Sequence, residues 1–140
     1  MMHSANGPRR GRATRRAAPA LVAVVTALAW ATPPAAFEFR CVFEQRLGGP
    51  EGPSAAISET VSIRERTATT AEIRSATEIN ESEILLGARF ISFIEPFRSG
   101  GIIITTVPQN GGASIRSVQR AASSGTLEAY QDRGTCERRG

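Results

Sequence analysis

The side chains of this protein that could do chemistry form a narrow set. All 17 basic residues are arginine, no lysine occurs, and the single histidine and tryptophan, His3 and Trp30, lie in the first 36 residues. A chain from which that segment is removed has no imidazole and no side-chain amine. Ser-His-Asp and Cys-His nucleophiles need an imidazole to take a proton and Schiff-base chemistry needs an amine, so both classes are excluded. Two cysteines without histidine cannot assemble the usual four-ligand zinc sets. Carboxylates, hydroxyls, arginines and the single Tyr130 remain. Paired carboxylates such as Glu95 and Asp132 would suit glycoside hydrolysis, but spacing along the chain does not fix their separation. Glu78, Glu81 and Glu83 beside Asn80 could offer oxygens to calcium, yet no Asp-x-Asp-x-Asp-Gly loop accompanies them and a solvated turn is expected. Arg64 and Arg66 could hold an anion, with cross-strand pairing to glutamates the simpler reading. Phe90, Phe93 and Phe97 either line a cavity or pack a core. Tyr130 is expected to make a structural hydroxyl bond near Cys136. No catalytic residue, metal or cofactor is assigned, and the protein is read as non-enzymatic.

These groups sit in a chain of 140 residues with a formal charge of +4, enough for one domain. The excess charge is local. Arg9, Arg10, Arg12, Arg15 and Arg16 precede Phe37 in a segment without acids, which leaves twelve arginines against all 13 acids in the remainder. A nearly neutral body gives no footprint for nucleic acid. The arginine-rich start, the apolar run Ala17 to Ala31 and the Thr32-Pro33-Pro34 break follow the order of a secretory signal peptide. Ala29-Trp30-Ala31 supplies small residues for cleavage between Ala31 and Phe37, which divides the chain into a leader over 1–36 and an exported domain over 37–140. The apolar run falls short of the roughly 20 residues a membrane span needs, so no stable anchor is expected after cleavage.

In an oxidising compartment Cys41 and Cys136 are expected to pair. Joining the two ends of the domain removes about 4.7 kcal/mol of unfolded-chain entropy for a loop of roughly 100 residues.

Phe37, Phe39, Cys41 and Phe43 alternate with polar residues, a strand with one aromatic face. Ile57, Val61 and Ile63 share a face of a second. A third element over Thr69 to Glu78 is read as a strand through Ala71, Ile73 and Thr77. Thr69 with Glu72 also fits a capping box, so a short helix near 70–80 competes. Ile84-Leu85-Leu86, Phe90 to Ile94 and Gly101 to Val107 are apolar enough to suggest burial on both faces, or aromatic and aliphatic groups covering a neighbouring loop. Ser99-Gly100-Gly101 and Asn110-Gly111-Gly112 supply tight reversals between antiparallel strands. Seven or eight strands at spacings near ten residues predict an all-β antiparallel meander. Because the termini are clasped, closure as a small barrel is preferred to a β-sandwich or an α+β fold.

The order Ile91-Ser92-Phe93, Ser99-Gly100, Thr105-Thr106, Gly111-Gly112-Ala113 and Tyr130 with Gly134-Thr135-Cys136-Glu137 resembles small exported proteobacterial proteins without an assigned function. That likeness covers roughly the last 50 residues and implies a secreted, disulfide-linked protein. Phe39-Arg40-Cys41, Ser99-Gly100 and Cys136 are also similar to the outline of periplasmic inhibitors of C-type lysozyme, which are small eight-stranded barrels. Those inhibitors present a loop lysine to the enzyme's cleft. This chain has none, and the resemblance leaves Arg98, beside Ser99 and Gly100, as the candidate contact. The expectation is a periplasmic or secreted binding protein that meets a protein partner, an envelope-directed hydrolase in the most concrete version, through the loops Leu47 to Pro53 and Pro96 to Gly101. The alternative is a carrier of a small apolar ligand inside the barrel.

Overall fold

The computed structural model describes residues 36–140, so the leader assigned to 1–36 lies, except for Ala36, outside the described residues. Eight antiparallel strands follow one another: β1 Glu38–Gly48, β2 Ser54–Glu65, β3 Thr70–Arg74, β4 Ile79–Leu86, β5 Phe90–Pro96, β6 Gly101–Pro108, β7 Gly112–Ala121 and β8 Leu127–Arg138. Each pairs with its neighbour in sequence, and β8 returns to β1, so the meander closes as a barrel with no free edge. The β1–β2, β3–β4, β5–β6 and β7–β8 connections must then lie at one end. The other three connections and the domain's termini lie at the opposite end.

Alternation fills the interior. Phe39, Cys41 and Phe43 of β1, Val61 and Ile63 of β2, Ala71 and Ile73 of β3, Phe93 of β5 and Val107 of β6 are buried. Phe37, Phe39 and Phe93 meet with ring centroids 5.7, 5.8 and 6.4 Å apart, the tilted and edge contacts aromatic rings favour. Cys41 stands directly opposite Cys136 across the β1–β8 ladder, and the two form a disulfide spanning 95 residues of sequence. A disulfide is the mark of an oxidising, non-cytoplasmic location.

At the same seam the register slips between Phe43 and Gln45. The inward set of β1 consequently changes from odd to even numbers, and Arg46 enters the barrel where alternation alone would have placed Gln45. Gly134 lies opposite Phe43. A Cβ on Gly134 would overlap the Val42 carbonyl oxygen, so only glycine permits this approach of β8 to β1.

Three readings are settled. Residues 70–74 form the preferred strand and the competing helix near 70–80 does not form: β3 ends at Arg74, and Ser75 to Glu78 is a turn closed by Ser75 N–H donating to the Glu78 carbonyl at 2.9 Å. Thr69, read with Glu72 as a possible helix cap, belongs to the β2–β3 turn instead, where Thr67 Oγ1 accepts from Thr69 N at 3.3 Å and from Thr70 N at 3.0 Å. The apolar strands bury one face only. Leu85, Phe90 and Ile104 are 56%, 50% and 36% exposed, because a closed barrel has a single interior and nothing among the described residues covers its wall. Finally, Phe90, Phe93 and Phe97 do not share a cavity: Phe93 is core, Phe90 lies on the outer wall, and Phe97 sits at the rim.

Replacing both cysteines by serine tests the clasp. The double variant should keep a β-type circular dichroism spectrum in the cold and lose about 2–5 kcal/mol of stability by urea titration.

Candidate functional site

The barrel interior is divided along its axis. The half toward the termini is apolar, whereas the half toward the β1–β2, β3–β4, β5–β6 and β7–β8 connections holds charged groups. Glu95, Thr105, Arg116 and Asp132 are all buried, and each occupies an inward position that alternation would reserve for an apolar residue. Asp132 is fully buried. Its Oδ1 accepts from Arg46 Nε at 2.8 Å and its Oδ2 from Arg46 Nη2 at 3.2 Å and Arg116 Nη2 at 2.6 Å. Arg116 donates a second fork to Glu59, with Nη1 2.8 Å from Oε1. The Arg116 guanidinium also lies over the Phe43 ring, 4.7 Å from its centroid, so the charged layer rests on the aromatic one.

Burial opposes the charge on Arg116, but its hydrogen bonds to Glu59 and Asp132 outweigh that cost and hold the group above the ordinary arginine value. The hydrogen bond to Asp132 does the same for Arg46. Arg46 in turn covers Tyr130, 4.1 Å from the ring centroid. Tyr130 thus acts as a platform for arginine at the mouth, not as the hydroxyl anchor expected near Cys136.

Glu95 differs from its neighbours. It is 5% exposed, yet its side chain's one hydrogen bond among the described residues is from Asn80 Nδ2 to Oε1 at 3.4 Å. Desolvation raises its pKa; the Asn80 contact and the field of Arg116 oppose the shift, while Glu78 and Glu59 add to it. Glu95 borders a small recess beside Arg116 and Glu59, of about 60 Å³. It also borders a larger groove of about 470 Å³ toward Glu78, Phe97, Arg98 and Ser99.

The structure therefore brings several sequence candidates together. Arg98, Ser99 and Gly100 form the β5–β6 connection, at the same end as the loop over 47–53, and Arg98 and Ser99 line the larger groove. Gly100 and Gly101 hold the connection with φ of 90° and 114°, values that favour glycine. Glu95 and Asp132 both turn into the polar half, but both Asp132 oxygens are taken by guanidinium groups. The acidic cluster disperses: Asn80 faces inward, whereas Glu81 and Glu83 occupy outward positions of β4. Among the described residues no group of three or more acidic, histidine or cysteine side chains converges as a metal site. Arg64 pairs with Glu38 at 3.4 Å and Arg66 with Glu72 on the outer wall. These two arginines with Arg74 belong to exposed, solvent-screened pairs that contribute little to stability.

Sequence reasoning missed Arg46, Glu59 and Arg116. Glu59 and Arg116 had a visible signal, a charge on the apolar side of an alternating strand. Arg46 had none, because the register slip that turns it inward depends on both neighbouring strands.

In comparisons with known proteins, no family model, curated protein or solved structure matches this chain. The fold and the mouth define its class: a disulfide-closed, eight-stranded antiparallel barrel with a charged layer beneath one set of loops.

Two outcomes follow. Arg116→Met should cost about 3–5 kcal/mol by urea titration because it leaves Asp132 and Glu59 short of a partner, and adding Asp132→Leu should recover part of that loss. A raised pKa means that the folded protein holds the Glu95 proton more tightly than the unfolded chain does. Ionised Glu95 therefore costs stability above its folded pKa and costs none well below the ordinary glutamate range. Glu95→Gln should raise Tm at pH 7, with the gain shrinking to nothing as pH falls below about 4.

Proposed function

We propose that the protein is a non-enzymatic, exported barrel that binds a protein partner through the loops around its charged mouth. Inhibition of an envelope-directed hydrolase, in the periplasm or outside the cell, is its most concrete form. The observation that carries this reading is the convergence of the loops over 47–53 and 96–101 at one end of a closed wall. There the second of them, with the β3–β4 turn, borders a groove of about 470 Å³ through Phe97, Arg98 and Ser99. Loops on a rigid scaffold present side chains at low entropic cost. The barrel wall, the disulfide and the charged layer below supply that rigidity.

Binding is favoured over hydrolysis by the state of the carboxylates. An acid/base pair needs one group free to take a proton and one free to give it, and Asp132 is held by two arginines. Binding at the loops is favoured over internal carriage by the filling of the interior. Phe37, Phe39 and Phe93 close one half and the Arg116 layer the other.

The mature protein, tagged and recovered from its native envelope, should capture a protein partner. Replacing Phe97, Arg98 and Ser99 together by alanine should reduce that capture at least tenfold with an unchanged circular dichroism spectrum. Glu137→Gln on the outer wall should not. Equal capture by all three proteins would refute the placement of the interface.

A further inference from the structure

We infer that the groove between the β3–β4 turn and the β5–β6 connection is a receptor for a basic side chain of the partner. The guanidinium or ammonium would be met by the Glu95 carboxylate, and its alkyl stem would lie along Phe97 and Ile103. The inference deepens the binding reading above and rests on it for the identity of the cation's carrier as a protein.

Glu95 points to such a ligand because it is nine-tenths buried and has no ion pair among the described residues. Its Oε1 has the long contact from Asn80 and its Oε2 has no hydrogen bond. No buried side-chain oxygen in the described residues lacks a partner, so Oε2 is not sealed off; it opens toward the spaces that Glu95 borders. The cation whose field acts on it, Arg116, is committed to Glu59 and Asp132. Burying a carboxylate without a counter-charge is costly, and an incoming cation reverses that cost.

The surroundings define which cation. Glu78 joins Glu95 along the groove and Glu81 borders it from its outward position on β4, against Arg98 as the one positive group lining it, so the balance of charge is acidic. These carboxylates do not converge as a metal site, which disfavours a compact ion. A groove with acids spread along it and with Phe97, Ile79 and Ile103 between them instead matches the amphipathic form of arginine or lysine. Such side chains carry an apolar stem and a charged end.

The probe is N-acetyl-arginine amide, with N-acetyl-citrulline amide as the uncharged near-isostere, titrated into ¹⁵N-labelled protein. The arginine compound should shift the amides of Asn80, Glu95 and Phe97 saturably, and the citrulline compound should not. Glu95→Gln and Glu78→Gln should each weaken the arginine affinity, the former at least tenfold, while Glu137→Gln leaves it unchanged. Because Glu95→Gln is expected to gain stability, its loss of binding is separable from misfolding by its Tm. Absence of saturable shifts in the unsubstituted protein, or equal affinity in Glu95→Gln, overturns the inference. The partner-capture experiment separates the two ideas. A partner captured equally by Glu95→Gln keeps the binding reading and removes the cation receptor. Saturable arginine binding without any captured partner keeps the receptor and removes the reading.

Discussion

The β1–β8 seam is the constraint on which the rest of the structure depends. A meander of eight strands becomes a barrel only if its first and last members pair, and these come from opposite ends of the domain's sequence, so their encounter costs more chain entropy than any hairpin. Successive inward pairs along the seam each do a different job. Cys41 and Cys136 join the strands covalently, Phe43 packs over Gly134, Arg46 engages Asp132, and Gly48 stands opposite Tyr130. The seam thus runs from apolar core to charged mouth in four steps. Its register slip makes that possible by turning Arg46 inward.

Stability and recognition are segregated along the barrel axis. The half toward the termini is stabilised by aromatic burial, roughly 1.5–3 kcal/mol for each fully buried large side chain. The mouth half replaces that apolar packing with a satisfied ionic layer, whose merit is geometric definition more than net stability. Asp132, Arg116 and Glu59 fix one another, and Arg46 fixes Tyr130 at the rim. Glu95 is the member of this half left without a cation, and it borders the groove beneath the β5–β6 connection. An unneutralised carboxylate in an otherwise satisfied layer is a local violation of packing rules, and such violations concentrate where proteins bind.

The strand order, the disulfide and the barrel were legible because each rests on local pattern or on counting. Phe37, Phe39, Cys41 and Phe43 alternate visibly, the glycine pairs mark reversals, and two cysteines allow one intramolecular bridge. The site was partly legible. The loop carrying Arg98, Ser99 and Gly100 could be picked out by its turn residues, but not its proximity to Glu95 and Glu78, since which loops share an end follows from the parity of strands in the closed sheet. The short helix considered for residues 70–80 failed as a reading because hydroxyl side chains that cap helices also close β-turns, and local sequence cannot separate the two uses.

What the sequence determined by itself is the chemistry available to the described domain: arginines and carboxylates without histidine or lysine, a pair of cysteines, and alternation that can bury one face of each strand. What only the tertiary structure decided is which charges face inward and which meet. Inward direction on β1 is set by a register slip against two neighbours, and the meeting of Arg46, Glu59, Arg116 and Asp132 joins the first two strands to the last two. Periodicity reports the face of a strand, whereas closure of the sheet decides what stands across from it.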